Sequence, residues 1–307
     1  MSNTRKSPKK SPVKDPAPSL DDDPNLIYMY GEKLLLNKKP QMKKKGYEYI
    51  KVAADKGVPN AIITYADYLL QDKTTNIDKK EEAKYIKLAA DAGHTNSMYE
   101  YASMLSKGES VTIDKKEAAK YYKMAADADH IKSKFEYAVM LHKGEGIEID
   151  KKEAAKYYKM AADSGHAKSM YNYSVMLDRG DGIDVNKKES AKYCKMAADS
   201  GHFKAMYEYA LKLYQGDKIK IDKRQAAQYY KKAADSGNVN AMNNYAEMCD
   251  KGDGIYVDKK EAAKYYKMAA DSGNTNATYI YAIMCDRGDG INIDKKEAAV
   301  YYKIAAK

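Results

Sequence analysis

Polar and apolar positions alternate along this chain with the spacing of a helix. In residues 150–165, DKKEAAKYYKMAADSG, the apolar side is Ala154, Tyr157, Tyr158, Ala161 and Ala162, at intervals of 3, 1, 3 and 1. That spacing sets them on one helical face and excludes a strand. Asp150 is placed to cap the helix, Glu153 completes a capping box, and Gly165 supplies the left-handed position that ends it. Residues 168–179 predict a second helix. Ser169, Tyr173, Ser174 and Leu177 share a face, as do Ala205, Tyr209, Ala210 and Leu213 further along. Gly180-Asp181-Gly182-Ile183 then turns the chain toward the next cap, with Ile183 expected as an apolar anchor under the helix pair.

The pattern repeats. Asp-Lys-Lys recurs at Asp78, Asp114, Asp150, Asp258 and Asp294, and Asn186-Lys-Lys and Asp222-Lys-Arg fill the gaps, so the period is 36 throughout. A degenerate copy begins at Met42, with Pro40 before it and Gly46 where Ala is usual. One helix pair cannot bury both of its faces, whereas stacked pairs share a continuous core. The prediction is an all-α protein, a right-handed α/α superhelical solenoid of about eight 36-residue helix-turn-helix repeats. Its pairs should begin near residues 24, 60, 96, 132, 168, 204, 240 and 276. The last copy stops at Ala305-Ala306-Lys307 without a polar capping helix, so self-association through the C-terminal end is an expectation.

Composition sets the boundaries. Five of the seven prolines lie before residue 25, and residues 1–23 hold almost no large apolar side chain. That segment is expected to be a disordered, basic and Pro-rich tail, with the solenoid spanning 24–307. The net charge is +10, of which +1 falls in residues 1–23 and +5 in 24–56, so the long C-terminal part is nearly balanced. A nucleic-acid groove along its whole length is thereby disfavoured. No stretch is long and apolar enough to span a bilayer, so no membrane partner is expected. The N-terminus lacks the apolar run of a secretory signal. Three cysteines cannot make a disulfide framework, which points to a cytoplasmic setting, with the nucleus as the alternative. The chain is also rich in Tyr, 30 against 2 Phe and no Trp.

The columns Ala205, Tyr207, Tyr209 and Ala210, then Gly252 to Ile255, Asp258, Ala262, Tyr265, Tyr266, Ala269, Ala270 and Gly273 resemble the Sel-one-like (Sel1-like) repeat, a relative of the tetratricopeptide repeat. The resemblance covers nearly everything from residue 24 onward. Tyr stands where that family often has Trp (Tyr121, Tyr157, Tyr193, Tyr265), and Tyr137-Ala138 where it often has Leu-Gly. The resemblance implies adaptors or scaffolds for protein complexes and no catalysis. Some secreted members carry a disulfide in every repeat, and those cysteines are missing here.

The residues agree that catalysis is not expected. No nucleophile–base–orienter set, phosphate-cradling loop or pair of catalytic carboxylates is present, and no cofactor or metal is expected. His94, His130, His166 and His202 share one column. A common metal needs donors about 2 Å from it, whereas successive helices pack about 8–10 Å apart. A turn residue is therefore expected, and Asn238 and Asn274 take the same place. Cys249 and Cys285 replace leucines and read as buried apolar residues.

The columns that vary between repeats are the clue to binding. Ser103, Val139, Val175, Leu211, Glu247 and Ile283 form one, and Ser106, His142, Asp178, Tyr214, Asp250 and Asp286 another. By analogy with tetratricopeptide architecture they line a concave surface. Phe135, Val139, Tyr171, Val175, Tyr207, Leu211 and Tyr214 are then the candidate protein-binding residues, either anchoring a peptide or sealing the helices against one another. The leading function is a non-enzymatic adaptor that binds a protein or peptide along that groove. The alternative is a nucleic-acid-associated or phospho-regulated protein acting through the tail and the Lys-rich surface. Lys152, Lys156 and Lys159 recur as a ridge, and Ser7 and Ser11, in Ser-Pro contexts followed by Lys, are candidate phosphorylation sites.

Overall fold

The computed structural model describes residues 17–71, 78–216 and 218–306. The expectations for residues 1–16, Ser7 and Ser11 among them, lie outside the described residues. Sixteen α-helices and no strand are found among the described residues. They pair as predicted: first (A) helices begin at Pro24, Pro59, Thr95, Ile131, Ala167, Phe203, Val239 and Thr275, each within one residue of expectation. The chain divides into two compact units, Met1–Ala128 with helices α1–α6 and Asp129–Lys307 with α7–α16. Each is an α/α solenoid built from the same helix-turn-helix repeat.

The repeat is fixed at its ends by caps. For the second (B) helix α8 (Lys151–Asp163), the Asp150 side chain accepts from the Glu153 backbone N–H at 2.9 Å. Asn186 and Asp222 do the same for α10 (Lys187–Asp199) and α12 (Lys223–Asp235). Such a cap contributes about 1 kcal/mol. The A helix α9 (Ala167–Arg179) ends on Gly180 at φ +72°, whose N–H returns to the Met176 carbonyl at 2.9 Å.

Successive B helices are joined by one recurring bond. In the second unit the hydroxyl of Tyr193 donates to Asp163 at 2.6 Å, Tyr229 to Asp199, Tyr265 to Asp235 and Tyr301 to Asp271, the last three at 2.5 Å. In the first unit Tyr121 donates to Asp91 at 2.5 Å, and Tyr85 bonds Asp55 in the same way. The same rings meet an A-helix tyrosine of their own repeat edge to face. Tyr173 and Tyr193 lie 4.8 Å apart at 88°, and Tyr209 and Tyr229 lie 5.0 Å apart at 90°. Burial works against ionisation of Asp163, but hydrogen bonds from Lys159 and Tyr193 outweigh it and hold the carboxyl below its usual value. This bond explains Tyr at these B-helix positions: Phe would supply the ring but not the donor.

Two glycine sites mark close backbone approach. Gly31 on α1 (Pro24–Leu35) and Gly46 on α2 (Pro40–Asp55) face one another so closely that a Cβ on either would sit 2.9 Å from the other's carbonyl oxygen. The departure at Gly46 is thus a packing requirement of the first pair. In the loop after α9, a Cβ on Gly182 would lie 2.5 Å from the Lys151 Cβ, at the start of the preceding B helix. Gly182 and Gly254 take φ near +80°, and Lys218 stands in the same column at φ +59°.

Two stability predictions follow from these features. Tyr193→Phe keeps the edge-to-face contact and loses the hydroxyl bond. Bonds to charged groups contribute ~1.5–3 kcal/mol when buried, and Asp163 is half exposed, so a loss of ~1 kcal/mol is expected in thermal or urea unfolding. Lys218→Gly relieves ~1–2 kcal/mol of left-handed strain and gives back ~0.5–1 in unfolded-chain entropy. A net gain of ~0.5–1 kcal/mol is expected, and a lowered midpoint would show that the loop carries no such strain.

Candidate protein-binding face

The seven residues singled out by sequence lie on α7 (Ile131–Lys143), α9 and α11 (Phe203–Gln215) of the second unit. All seven are half-buried, so each packs with one side and opens with the other. Leu211 and Tyr214 come together in an open cavity of about 490 Å³ that also takes in Tyr230, Asn244 and Met248. Tyr171 and Val175 meet in a smaller one of about 70 Å³ with Asp178, Cys194, Glu208 and Lys212. Phe135, Val139 and Tyr207 line neither. The Phe135 ring packs on Tyr158 and His166, 6.0 and 4.9 Å between centroids. Tyr207 lies 5.9 Å from Tyr230.

Variation in the outer column follows a structural exchange. Where the residue is Asp, it pairs with the first Lys of its own B helix: Asp178 with Lys187 at 3.0 Å, Asp250 with Lys259 at 2.6 Å, Asp286 with Lys295 at 2.7 Å. Where it is His or Tyr, it bonds instead to the aspartate in the loop of the next repeat. His142 reaches Asp181 at 2.8 Å, and the Tyr214 hydroxyl donates to Asp253 at 2.7 Å. The lysine then moves to that loop aspartate, Lys151 to Asp181 and Lys223 to Asp253, both at 2.7 Å. The bond to Asp253 pushes the Tyr214 phenol up, with burial adding to it, while Lys223 and Tyr214 hold Asp253 down. The Tyr214 hydroxyl is therefore already engaged within the chain, and the ring is its open part.

The histidine column has a role that sequence reasoning missed. These residues are the N-caps of the A helices. Ring Nδ1 accepts from the Ser133 N–H at 3.2 Å for His130 and from the Ala205 N–H at 3.3 Å for His202. His166 Nδ1 shares a hydrogen bond with Ser169 Oγ at 2.8 Å. Asn238 and Asn274 cap with their amide oxygens at 2.9 Å. The ring also covers the aromatic residue of the preceding repeat: His202 stacks on Tyr171, 4.6 Å and 24° between planes. The available signal was the alternation of His with Asn, both short acceptors, directly before an A helix. The cysteines are buried and free, and burial pushes the Cys194 thiol up to about 12, far from a nucleophile's range.

The lysine ridge is largely neutralised. Lys156 donates to Glu153 at 3.0 Å and Lys159 to Asp163 at 2.8 Å, a pattern recurring at Lys120–Glu117, Lys87–Asp91 and Lys195–Asp199. Among the described residues, no helix is long and apolar enough to cross a membrane.

A tandem array of 36-residue helix pairs, capped by Asp and Gly, defines an α/α repeat protein. The Sel1 repeat model matches residues 95–130, 131–166, 167–202, 203–238, 239–274 and 275–307, and the chain belongs to the Sel1 repeat family. Among solved structures it is similar to a Sel1 repeat protein from Oxalobacter formigenes, with 21% identity over 92% of this chain and 82% of that one and a TM-score of 0.69. It is also similar to c5321, a protective antigen of uropathogenic Escherichia coli displaying an SLR fold, with 22% identity over 92% of this chain and 68% of that one and a TM-score of 0.68. A search among curated proteins found no match. Sel1 repeat proteins are in general protein-interaction scaffolds rather than enzymes.

The histidine caps predict an acid response. Burial, with Lys132, Lys168 and Lys204 nearby, holds His130, His166 and His202 below the usual 6.5. A lowered value in the folded state means that their contribution is present above about 6.5 and lost as pH falls through the folded value. The triple variant His130→Asn/His166→Asn/His202→Asn puts at each position an acceptor that does not titrate, as Asn238 and Asn274 already do. Between about pH 7 and pH 5 the parent chain should lose more urea resistance than the variant, and parallel curves would remove the histidines from the account.

Proposed function

We propose that this chain is a non-enzymatic adaptor that holds a protein or peptide partner along the A-helix face of the second unit. The observation that carries the reading is the half-open apolar column Val139, Val175 and Leu211, which runs beside the cavity at Leu211 and Tyr214. Such positions are poor places for apolar side chains unless something covers their outer side, and aromatic and aliphatic anchors in concave sites typically dominate partner affinity. Asn244 and Glu247 at the cavity rim supply polar groups for a bound backbone. The partner class is a peptide or protein segment, and the setting in this reading is cytoplasmic. Phosphate at Ser7 and Ser11 would offset the basic tail and provide regulation. A nucleic-acid role through the Lys-rich surface draws little support from a ridge in which Lys156 and Lys159 are already paired.

The test is a pull-down from native lysate, with nuclease present, comparing the parent chain with Val175→Glu/Leu211→Glu after circular dichroism has established that both are folded. The expected result is a partner captured by the parent and lost by the variant, a drop of about tenfold or more in affinity. Equal capture by both chains would move the site off the A-helix face. Capture abolished by nuclease alone would replace the adaptor reading with nucleic-acid binding.

A further inference from the structure

The opposite side of the second unit carries a second pattern, independent of the A-helix face. Two equivalent cavities open there one repeat apart. One, of about 490 Å³, is lined by Ala155, Tyr173 and Ile183 and by Lys152, Lys156 and Lys159; its three acids are spoken for, Asp150 as the helix cap and Glu153 and Asp163 as the partners of Lys156 and Lys159. The other, of about 560 Å³, is lined by Ala191, Tyr209 and Ile219, by Lys188, Lys192 and Lys195, and by Glu189. Each lies between a B helix and the A helix and loop of the next repeat, so the period of the chain is also the period of the cavities.

Two tracks of side chains run beside them. The residue preceding each B-helix cap is Ile149, Val185, Ile221, Val257 or Ile293, and these are 54% to 64% exposed. Each lies over the glycine that ends its A helix, as Ile149 does over Gly144, with its outer methyls in solvent. Three residues further on stand Lys152, Lys188, Arg224, Lys260 and Lys296, all exposed. The neighbouring first lysines of these helices are consumed by Asp181, Asp178, Asp253, Asp250 and Asp286. The second-position cations have no acidic partner among the described residues. They also occupy the first turn of a helix, where the macrodipole disfavours positive charge. Five unpaired cations at unfavourable positions, each beside an exposed aliphatic residue, do nothing for the fold that a neutral residue would not do as well.

We propose that this side of the second unit binds an extended acidic polypeptide segment of a partner protein, with an apolar residue at every third position. Packed helices lie about 8–10 Å apart. A polyproline II strand advances ~3.1 Å per residue and presents the same face every third residue, ~9 Å along. One acidic and one apolar side chain per triplet therefore meet one cation and one cavity per repeat. A single nucleic-acid strand fits less well, because its bases need open aromatic platforms, whereas Tyr173 and Tyr209 are buried in the cavity walls and the exposed rungs are aliphatic. A bilayer surface cannot enter the cavities.

The test uses the full chain and a fluorescent peptide of repeated Leu-Glu-Pro triplets, followed by anisotropy. The comparisons are a Ser-Glu-Pro peptide, oligothymidylate and phosphatidylserine vesicles. Lys152→Glu/Lys188→Glu/Arg224→Glu/Lys260→Glu should bind the Leu-Glu-Pro peptide at least about tenfold more weakly, while its thermal midpoint stays level or rises, since acids suit the first turn. Val185→Ser/Ile221→Ser/Val257→Ser should weaken the peptide without changing net charge. The Ser-Glu-Pro peptide should bind the parent chain correspondingly less. The proposal is overturned by undiminished binding to the charge-reversed chain, by equal affinity for the two peptides, or by uptake of oligothymidylate or vesicles in place of peptide. None of these outcomes depends on Val175 or Leu211, so this proposal and the A-helix reading stand or fall separately.

Discussion

The bond from a B-helix tyrosine to the terminal aspartate of the preceding B helix is the constraint that organises each unit. One side chain performs two tasks. Its ring meets the A helix of its own repeat edge to face, as Tyr193 meets Tyr173, and its hydroxyl reaches Asp163 one repeat back. The aspartate is then held from its own helix by a lysine four residues earlier, Lys159. Ring, hydroxyl and carboxylate must all be in register for any one of them to be satisfied. A shift of a single helix by one residue would strand a carboxylate and expose a ring. The rest of the repeat is free to vary only where it does not touch this triplet.

That freedom is distributed unequally over the two sides. On the A-helix side, residues change from repeat to repeat, and part of the change is compensated internally. An Asp takes its own lysine, whereas His142 or Tyr214 hands the lysine to the next loop. In all five cases the first lysine of the B helix keeps an aspartate partner, so the outer column exchanges Asp for His or Tyr without stranding that lysine. On the B-helix side the residues hardly change, and the same cation and the same aliphatic neighbour return in each repeat. A varied surface suits recognition of one particular sequence, and a uniform one suits a repetitive ligand.

Much of this was legible in the sequence. The 36-residue period, the Asp and Gly caps and the starts of all eight pairs follow from spacing and local chemistry, which act within a few residues. What escaped was set by partners a repeat away. The histidines read as turn residues, and their ring contacts with Phe135 and Tyr171 are made between successive repeats. The first lysines of the B helices went unremarked, and two of them find their aspartate in the loop of the next repeat, Lys151 at Asp181 and Lys223 at Asp253. Column variability pointed to the outward face and could not distinguish a half-buried side chain from an open one. Val139, Val175 and Leu211 turned out to be both packed and exposed.

Helices α6 (Lys115–Asp127), α8 and α14 (Lys259–Asp271) have the identical sequence KKEAAKYYKMAAD. Their contacts to neighbours use the same tyrosine, alanine and aspartate positions wherever they occur. An in-frame gain or loss of 36 residues at such a point would join two surfaces that already fit, with every cap and every tyrosine bond restored across the new junction. The length of the array is then a quantity that genetic recombination can adjust without any new solution to the folding problem.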